Sequence, residues 1–388
     1  MLRRISGFIL FTFFVCLTLP PAAQSAITLY DADETTFSVD GSFNTFYVYS
    51  SSDKNAEMEA ISGPDREQSR VKMGFLPNWI GFNFSKQVNN LKLGGRSSFW
   101  VTINDSDNNL TETGIDVRQF YGTVDADWGQ VLFGKDFTLF NRSNIFLDEI
   151  LLGYGNVSDT LGLIDGNGVS FGNIGTGYTY PFPSAQITYR TPQLHGFKLA
   201  VGVIDPSRTA DEGQEKTPRF EGELTFNHKF ESGDVTAWGG FLYQKSESNA
   251  QNGMDITSKG VSYGVRARYA GFSLHASGFN AEGLGFLLGP GADTTLGLPV
   301  AGPGGELDSN GWLLQASYTY GPLRFVGSYG ENELKAADKW ENQTATGAVF
   351  YNVNDYFKLV AEYNVNEISI GTAEEETKTV ALGAILNF

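Results

Sequence analysis

Residues 37–49 read Phe37-Ser38-Val39-Asp40-Gly41-Ser42-Phe43-Asn44-Thr45-Phe46-Tyr47-Val48-Tyr49, and their parity decides the fold. Phe37, Val39, Gly41, Phe43, Thr45, Tyr47 and Tyr49 share one side of an extended chain, while Ser38, Asp40, Ser42 and Asn44 share the other. Because successive side chains of a strand point to opposite faces, this segment offers one apolar face and one wet face. The same alternation returns at 91–103, 197–203, 220–226, 261–269, 312–320, 323–329, 357–365 and 380–388. Less regular strands fit at 70–86, 115–124, 130–135, 185–191, 235–245, 272–278 and 344–351, which makes sixteen.

The connections separate a soluble sandwich from a closed barrel, since only a membrane barrel needs long loops at one rim and tight turns at the other. Tight turns fall near 87–90, 125–129, 192–196, 231–234, 270–271, 321–322 and 352–355. Longer connections fall between them near 50–69, 104–114, 136–184, 205–218, 246–258, 279–310, 331–343 and 366–376. Seven turns and eight loops, with both termini on the turn side, suit an even closed sheet. Aromatic residues gather beside the turns at Phe84, Trp128, Phe197, Phe230, Tyr269, Phe272, Tyr320, Tyr356, Phe357 and Phe388, as an interfacial girdle does. A second, weaker band is expected near Tyr47, Tyr49, Phe99, Tyr243 and Tyr329. The expected fold is therefore all-β, a sixteen-stranded transmembrane antiparallel barrel in one domain over 26–388, whose outer face lipid solvates.

The first 25 residues read as an export signal: Arg3 and Arg4, an apolar run from Phe8 to Leu19, then Pro20, Pro21 and small residues, with cleavage expected near 25/26. Cys16, the only cysteine, lies within that run, so the exported chain carries no disulfide and no thiolate metal site. Beyond the signal no stretch approaches the roughly 20 consecutive apolar residues of a membrane helix. Removing the two arginines of the signal from 27 basic residues leaves 25 against 44 acidic ones, a net charge of −19. Such a balance argues against a nucleic-acid partner. Acidic loops at Asp105 to Glu112, Asp211 to Glu215 and Glu374 to Glu376 are candidates for calcium or magnesium, or for bridging by those ions to anionic lipopolysaccharide, with simple solvated charge as the alternative.

The chain resembles the general, usually trimeric porins of Gram-negative bacteria. The final segment, Val380 to Phe388, is similar to their last strand, which ends in the phenylalanine that the assembly machinery reads. Arg118-Gln119-Phe120-Tyr121-Gly122 with Trp128-Gly129-Gln130-Val131-Leu132-Phe133-Gly134-Lys135 looks like the hairpin before their constriction loop. Ile187-Thr188-Tyr189-Arg190-Thr191-Pro192 with Gly196-Phe197 resembles the strand and turn after it, and Lys135 stands where many relatives have arginine. The resemblance implies an outer-membrane location, a homotrimer, and a third loop, 136–184, folded into the lumen. The length of that loop argues the same way, as does its apolar stretch from Ile145 to Leu152.

The expected constriction sets loop acids Asp136, Asp148, Glu149, Asp159 and Asp165 against a basic wall. That wall consists of Lys92, Arg96, Arg190, Lys198, Arg219, Arg266, Arg268, Arg324 and Lys358, all on wet-parity positions. A transverse field across a narrow, water-filled pore orients polar solutes. Glu221, Glu223 and Glu362 share the inward parity, so charge preference is left open. The reading is a passive diffusion channel for small hydrophilic solutes that needs no cofactor; the alternative is a channel selective for a sugar, peptide or organic acid. Inward aromatics look too few for an aromatic slide.

Enzymatic signals are weak. Gly168-Val169-Ser170-Phe171-Gly172 and Gly260-Val261-Ser262-Tyr263-Gly264 match a nucleophile elbow, but one lies in the long loop and the other inside a strand, where the motif has no meaning. His195, His228 and His275 are far apart and lack metal-ligand spacing. His275 and Ser277 form the only adjacent pair, without an evident third member.

Overall fold

The computed structural model describes residues 26–104, 115–155, 172–206, 213–214, 216–248, 255–284, 301–302 and 305–388. The expected signal, 1–25, lies outside them. A hairpin opens the chain: β1 (Ile27–Ala32) turns at Asp33 and Glu34, both at positive φ, into β2 (Thr35–Lys54). Helix α1 (Ala56–Ser62) caps the outer end, with Asn55 Oδ1 accepting from the Met58 amide. Then come β3 (Glu67–Lys72), β4 (Asn78–Val88), β5 (Leu91–Val101), β6 (Asp116–Ala126) and β7 (Gly129–Phe137). The third loop follows, carrying the one-turn helix α2 (Arg142–Phe146). The wall resumes with β8 (Pro183–Arg190), β9 (Phe197–Ile204), the two-residue β10 (Gly213–Gln214), β11 (Arg219–Phe230), β12 (Gly233–Ser248), β13 (Ile256–Tyr269) and β14 (Phe272–Glu282). After the short pair β15 (Ala301–Gly302) and β16 (Gly305–Glu306), the last strands are β17 (Asp308–Tyr320), β18 (Leu323–Leu334), β19 (Trp340–Asn352), β20 (Phe357–Ile370) and β21 (Ala373–Asn387).

Each wall strand pairs antiparallel with its sequence neighbours, and β21 returns to β2 in register Ser42↔Asn387 through Lys54↔Glu375. Gly41 and Phe388 exchange both backbone hydrogen bonds, at 2.8 and 3.0 Å, so the seam runs to the last residue. With β3 and β4 counted as one interrupted strand, the closed sheet has sixteen strands. Its alternation is plain in β17, where Trp312 and Leu314 are exposed and Leu313 and Gln315 are buried. Exposed apolar side chains cover the outside of the wall, a surface that only hydrocarbon solvates without cost. All seven tight turns fall where the alternation places them; five have only two residues between strands, among them Ala270–Gly271, both at positive φ.

Four expectations are corrected. The connection at 366–376 is no long loop: β20 and β21 meet at Gly371–Thr372, with Gly371 at φ 61°. The strands there rise beyond the apolar belt, where the outward face carries Glu333, Glu341 and Glu367 and the inward one buries Leu334, Trp340 and Ala373, so an apolar outside no longer marks the strand. For the same reason 331–343 shrinks to the five residues between β18 and β19. The strand at 70–86 is broken, because Met73 to Pro77 leave the wall and turn inward, their amides held by Asn44 and Asn104. Finally, β1 lies outside every expected strand.

Candidate functional site: the third loop and its cavities

The third loop enters the barrel and is bound there mainly through its backbone. Glu221 of β11 accepts from the Leu139 and Phe140 amides at 2.6 and 2.8 Å, and its neighbour Glu223 from Ser143 at 3.0 Å. Across the lumen, Glu362 of β20 accepts from Tyr154 and Gly155 at 3.0 and 2.6 Å. Gln315 receives the Glu149 amide at 2.8 Å and Asn332 the Gly177 amide at 2.6 Å. A loop has no ladder of its own, so its buried amides need acceptors from outside. The inward carboxylates that make the lumen look mixed in sequence supply them.

Apolar packing completes the docking. Phe46 and Val48, inward-facing where β2 passes the loop, bury Ile150 and Tyr154. The inward break after β3 brings the Phe75 amide to the Gly153 carbonyl at 2.9 Å and its ring against Gly172, where a Cβ would meet ring atoms at 2.5 Å. Gly330 of β18 leaves room for the returning limb: a Cβ there would stand 1.8 Å from the Thr176 carbonyl oxygen.

Asp148 is a hub inside the loop. Its carboxylate accepts from Asn173, from the Tyr178 hydroxyl at 2.5 Å and from Gln315 at 2.7 Å. Burial and the adjacent Asp148 charge hold the Tyr178 phenol well above its ordinary pKa, so it stays a proton donor. Glu149 receives the Ser317 hydroxyl and pairs with Arg324 at 3.0 Å.

On the turn side of the loop, described residues of the lumen line two cavities. The first, about 450 Å3, lies beside β4 to β8. Its cations are Lys92, Arg96, Arg118, Arg142 and Arg190, and its carboxylates Asp40, Asp125 and Asp136. Arg96 pairs with Asp40 at 2.9 Å; Asp136 takes Arg142 at 3.2 Å and Arg190 at 3.8 Å. The second, about 460 Å3, lies under β13 to β20. There Arg266, Arg268, Arg324 and Lys358 meet Asp148, Glu149 and Asp234, and Arg268 pairs with Asp234 at 2.7 Å.

The expected residues thus fall into two groups rather than one wall facing one loop. Asp136 sits in β7, on the wall, not in the loop. Arg219 is buried against Glu221 at 3.0 Å and lines neither cavity. Lys198 keeps its inward parity near the turn rim and lines neither cavity as well. Asp159 and Asp165 lie outside the described residues, as do Gly168 to Phe171 of the first elbow match and the acidic loop from Asp105 to Glu112. Sequence reasoning missed Arg118 as a lumen residue because β6 bulges: Ser98 pairs with Gln119 and Phe99 with Val117, which leaves Arg118 unpaired and turned inward. It also missed Arg142, and it undercounted inward aromatics. Trp79, Trp100 and Phe137 of the wall meet Phe146 and Tyr180 of the loop in one row.

His275 and Ser277 do touch, at 2.9 Å, but the other imidazole nitrogen faces the Leu147 carbonyl rather than a carboxylate. Among the described residues no group of three or more His, Cys, Asp or Glu side chains is arranged to hold a metal, and no helix is long and apolar enough to cross a membrane.

Solved structures of the same architecture set this geometry in context. The anion-selective porin of Comamonas acidovorans superposes with a TM-score of 0.65 at 14% identity, covering 92% of this chain and 100% of that one. The outer membrane channel DcaP of Acinetobacter baumannii gives 0.68 at 16%, covering 91% and 97%. A trimer form of OmpT from Vibrio cholerae gives 0.54 at 15%, covering 92% and 100%. No curated protein matches the chain in sequence. The model of the Gram-negative porin family matches residues 12–370, and the chain accordingly belongs to that family, as an outer-membrane diffusion channel and not an enzyme.

Proposed function

We propose that the third loop forms the narrow part of this channel and that passage there favours small anions over cations. The observation that carries the reading is charge at the cavities: nine cationic side chains line them against six carboxylates. This runs opposite to the whole chain, whose formal net charge is −17. Local charge governs selectivity, because exposed charges farther away than the Debye length of about 8 Å are screened at physiological salt. Lys358 and Arg266 line the second cavity with no carboxylate among the described residues within ion-pair distance, which leaves their field available to a passing ion. The likeness in fold to a porin described as anion-selective is in keeping with this. The test is the zero-current potential across a planar bilayer under a potassium chloride gradient. A negative dilute compartment is expected; a positive one overturns the reading.

Two assembly features belong to the same proposal. The chain forms a homotrimer, as the trimer form of a protein with this fold suggests. Calcium or magnesium bridges the acidic outer rim to lipopolysaccharide phosphates. What supports this is the direct opposition of Glu333 with Glu341 and of Glu367 with Glu376 on neighbouring strands, an arrangement that like charges disfavour unless cations intervene. Lys339, 3.5 and 3.1 Å from Glu333 and Glu341, neutralises part of it.

A further inference from the structure

The two cavities differ in what surrounds their cations. The second sets Ser273, Ser317 and Thr319 beside its charges, with Leu147, Leu152, Tyr269 and Phe272 around them and Phe146 shared with the first. The first is built around an aromatic row. Trp79 stacks on Trp100 with centroids 5.7 Å apart, Phe137 meets the edge of Trp100 at 6.2 Å, and Phe146 and Tyr180 flank Phe137 at 5.2 and 6.2 Å. Guanidinium groups sit over three of these rings: Arg96 over Trp79, Arg118 over Trp100 and Arg142 over Phe146, at 5.2, 5.1 and 4.9 Å.

Charge in this cavity is unevenly compensated. Arg96 has its own carboxylate, Asp40, and Arg118 has Asp116 at 2.7 Å. Arg142 and Arg190, by contrast, share Asp136, which also accepts a hydrogen bond from Gln119 at 2.9 Å. Within ion-pair distance one negative charge thus stands between two guanidinium groups, with Glu223 acting on both from farther away. A second carboxylate entering here pairs directly with both and gains charge-assisted hydrogen bonds, and its organic body meets the aromatic row on the way.

From this juxtaposition we infer that the first cavity is a binding site for aromatic carboxylates: the anionic group bridges Arg142 and Arg190 and the ring lies along Phe137, Phe146 and Tyr180. The volume of about 450 Å3 holds one small ring acid and falls within the roughly 300 to 1,000 Å3 of typical ligand sites. Neither half of the site suffices alone. Acetate finds the charge but not the rings, and benzyl alcohol the rings but not the charge. The site lies on the narrow path described above and rests on that reading.

Blockade of single-channel chloride current by added benzoate, acetate or benzyl alcohol tests the inference on the full-length protein in planar bilayers. Benzoate is expected to block at concentrations about tenfold or more below acetate, with benzyl alcohol without effect. Arg142→Gln is expected to raise the half-blocking benzoate concentration about tenfold, and Phe146→Leu to raise it while leaving the response to acetate unchanged. The Leu variant keeps the site testable should the Gln variant misplace the loop. Equal block by benzoate and acetate, or by benzoate and benzyl alcohol, overturns the site, as does a benzoate response that neither variant changes. The zero-current potential of the same preparation separates the two proposals. If the channel prefers anions yet benzoate behaves like acetate, only this site fails; if it prefers cations, the anion-favouring path fails with it.

Discussion

Replacing Glu362 with alanine should free the third loop while leaving the barrel closed. The carboxylate is buried at 4% exposure and accepts two loop amides, Tyr154 at 3.0 Å and Gly155 at 2.6 Å. Glu362 is the acceptor both amides use where the loop crosses the lumen, and the substitution removes it from both. Hydrogen bonds to a charged group contribute roughly 1.5 to 3 kcal/mol each, and the loss of two is about 3 to 6 kcal/mol. Charged to loop docking, that shifts the docked-to-undocked ratio by a factor of about one hundred or more. The exported chain is expected to contain no cysteine of its own, which makes Ile150→Cys a clean reporter: Ile150 lies on the loop and is fully buried against β2 while the loop is docked. A maleimide should modify this cysteine slowly in the otherwise native protein and at least a hundredfold faster when Glu362 is alanine. Single-channel current should become larger or noisier in parallel. Equal labelling rates would refute the reasoning, because the loop would then be held by its other anchors, Glu221, Glu223, Gln315 and Asn332, together with its apolar contacts.

Gly330→Ala places a methyl group on the Thr176 carbonyl, 1.8 Å away by the undistorted backbone, so the returning limb of the loop must move; altered conductance with unchanged strand content by circular dichroism is expected. Deletion of Phe388 removes both backbone bonds to Gly41 and the stacking on Phe43 at 5.5 Å; less folded protein should reach the outer membrane, while refolding in detergent should suffer far less. Chelation of divalent ions should lower the melting temperature of the protein in bilayers containing lipopolysaccharide and leave it unchanged in neutral lipid, where a drop in both would place the cation elsewhere.

The wall was readable in the sequence because lipid outside and water inside impose a period of two, as Trp312-Leu313-Leu314-Gln315 shows. Where either solvent is missing, the period disappears. Above the apolar belt Glu374, Glu375 and Glu376 look like a loop and form a strand. Where the loop docks, Phe46 and Val48 put apolar groups on the wet side. A single extra residue in β6 reversed the reading of Arg118. The loop was legible by length, but its anchoring was not. Glu221, Glu223 and Glu362 announce inward carboxylates in sequence, and only the fold shows that their partners are backbone amides, which every residue carries alike. The pairing of acids with bases was hidden for a related reason: Asp136 and Arg142 are close in sequence, whereas Arg190 reaches them only through the register of β7 with β8.

The most direct test of the account is single-channel recording of the purified, refolded protein in planar bilayers. Stepwise openings with current proportional to voltage are expected, each step conducted by water beside a docked third loop. A protein that inserts with its full strand content yet passes no current would contradict it, since the lumen would then be filled rather than narrowed.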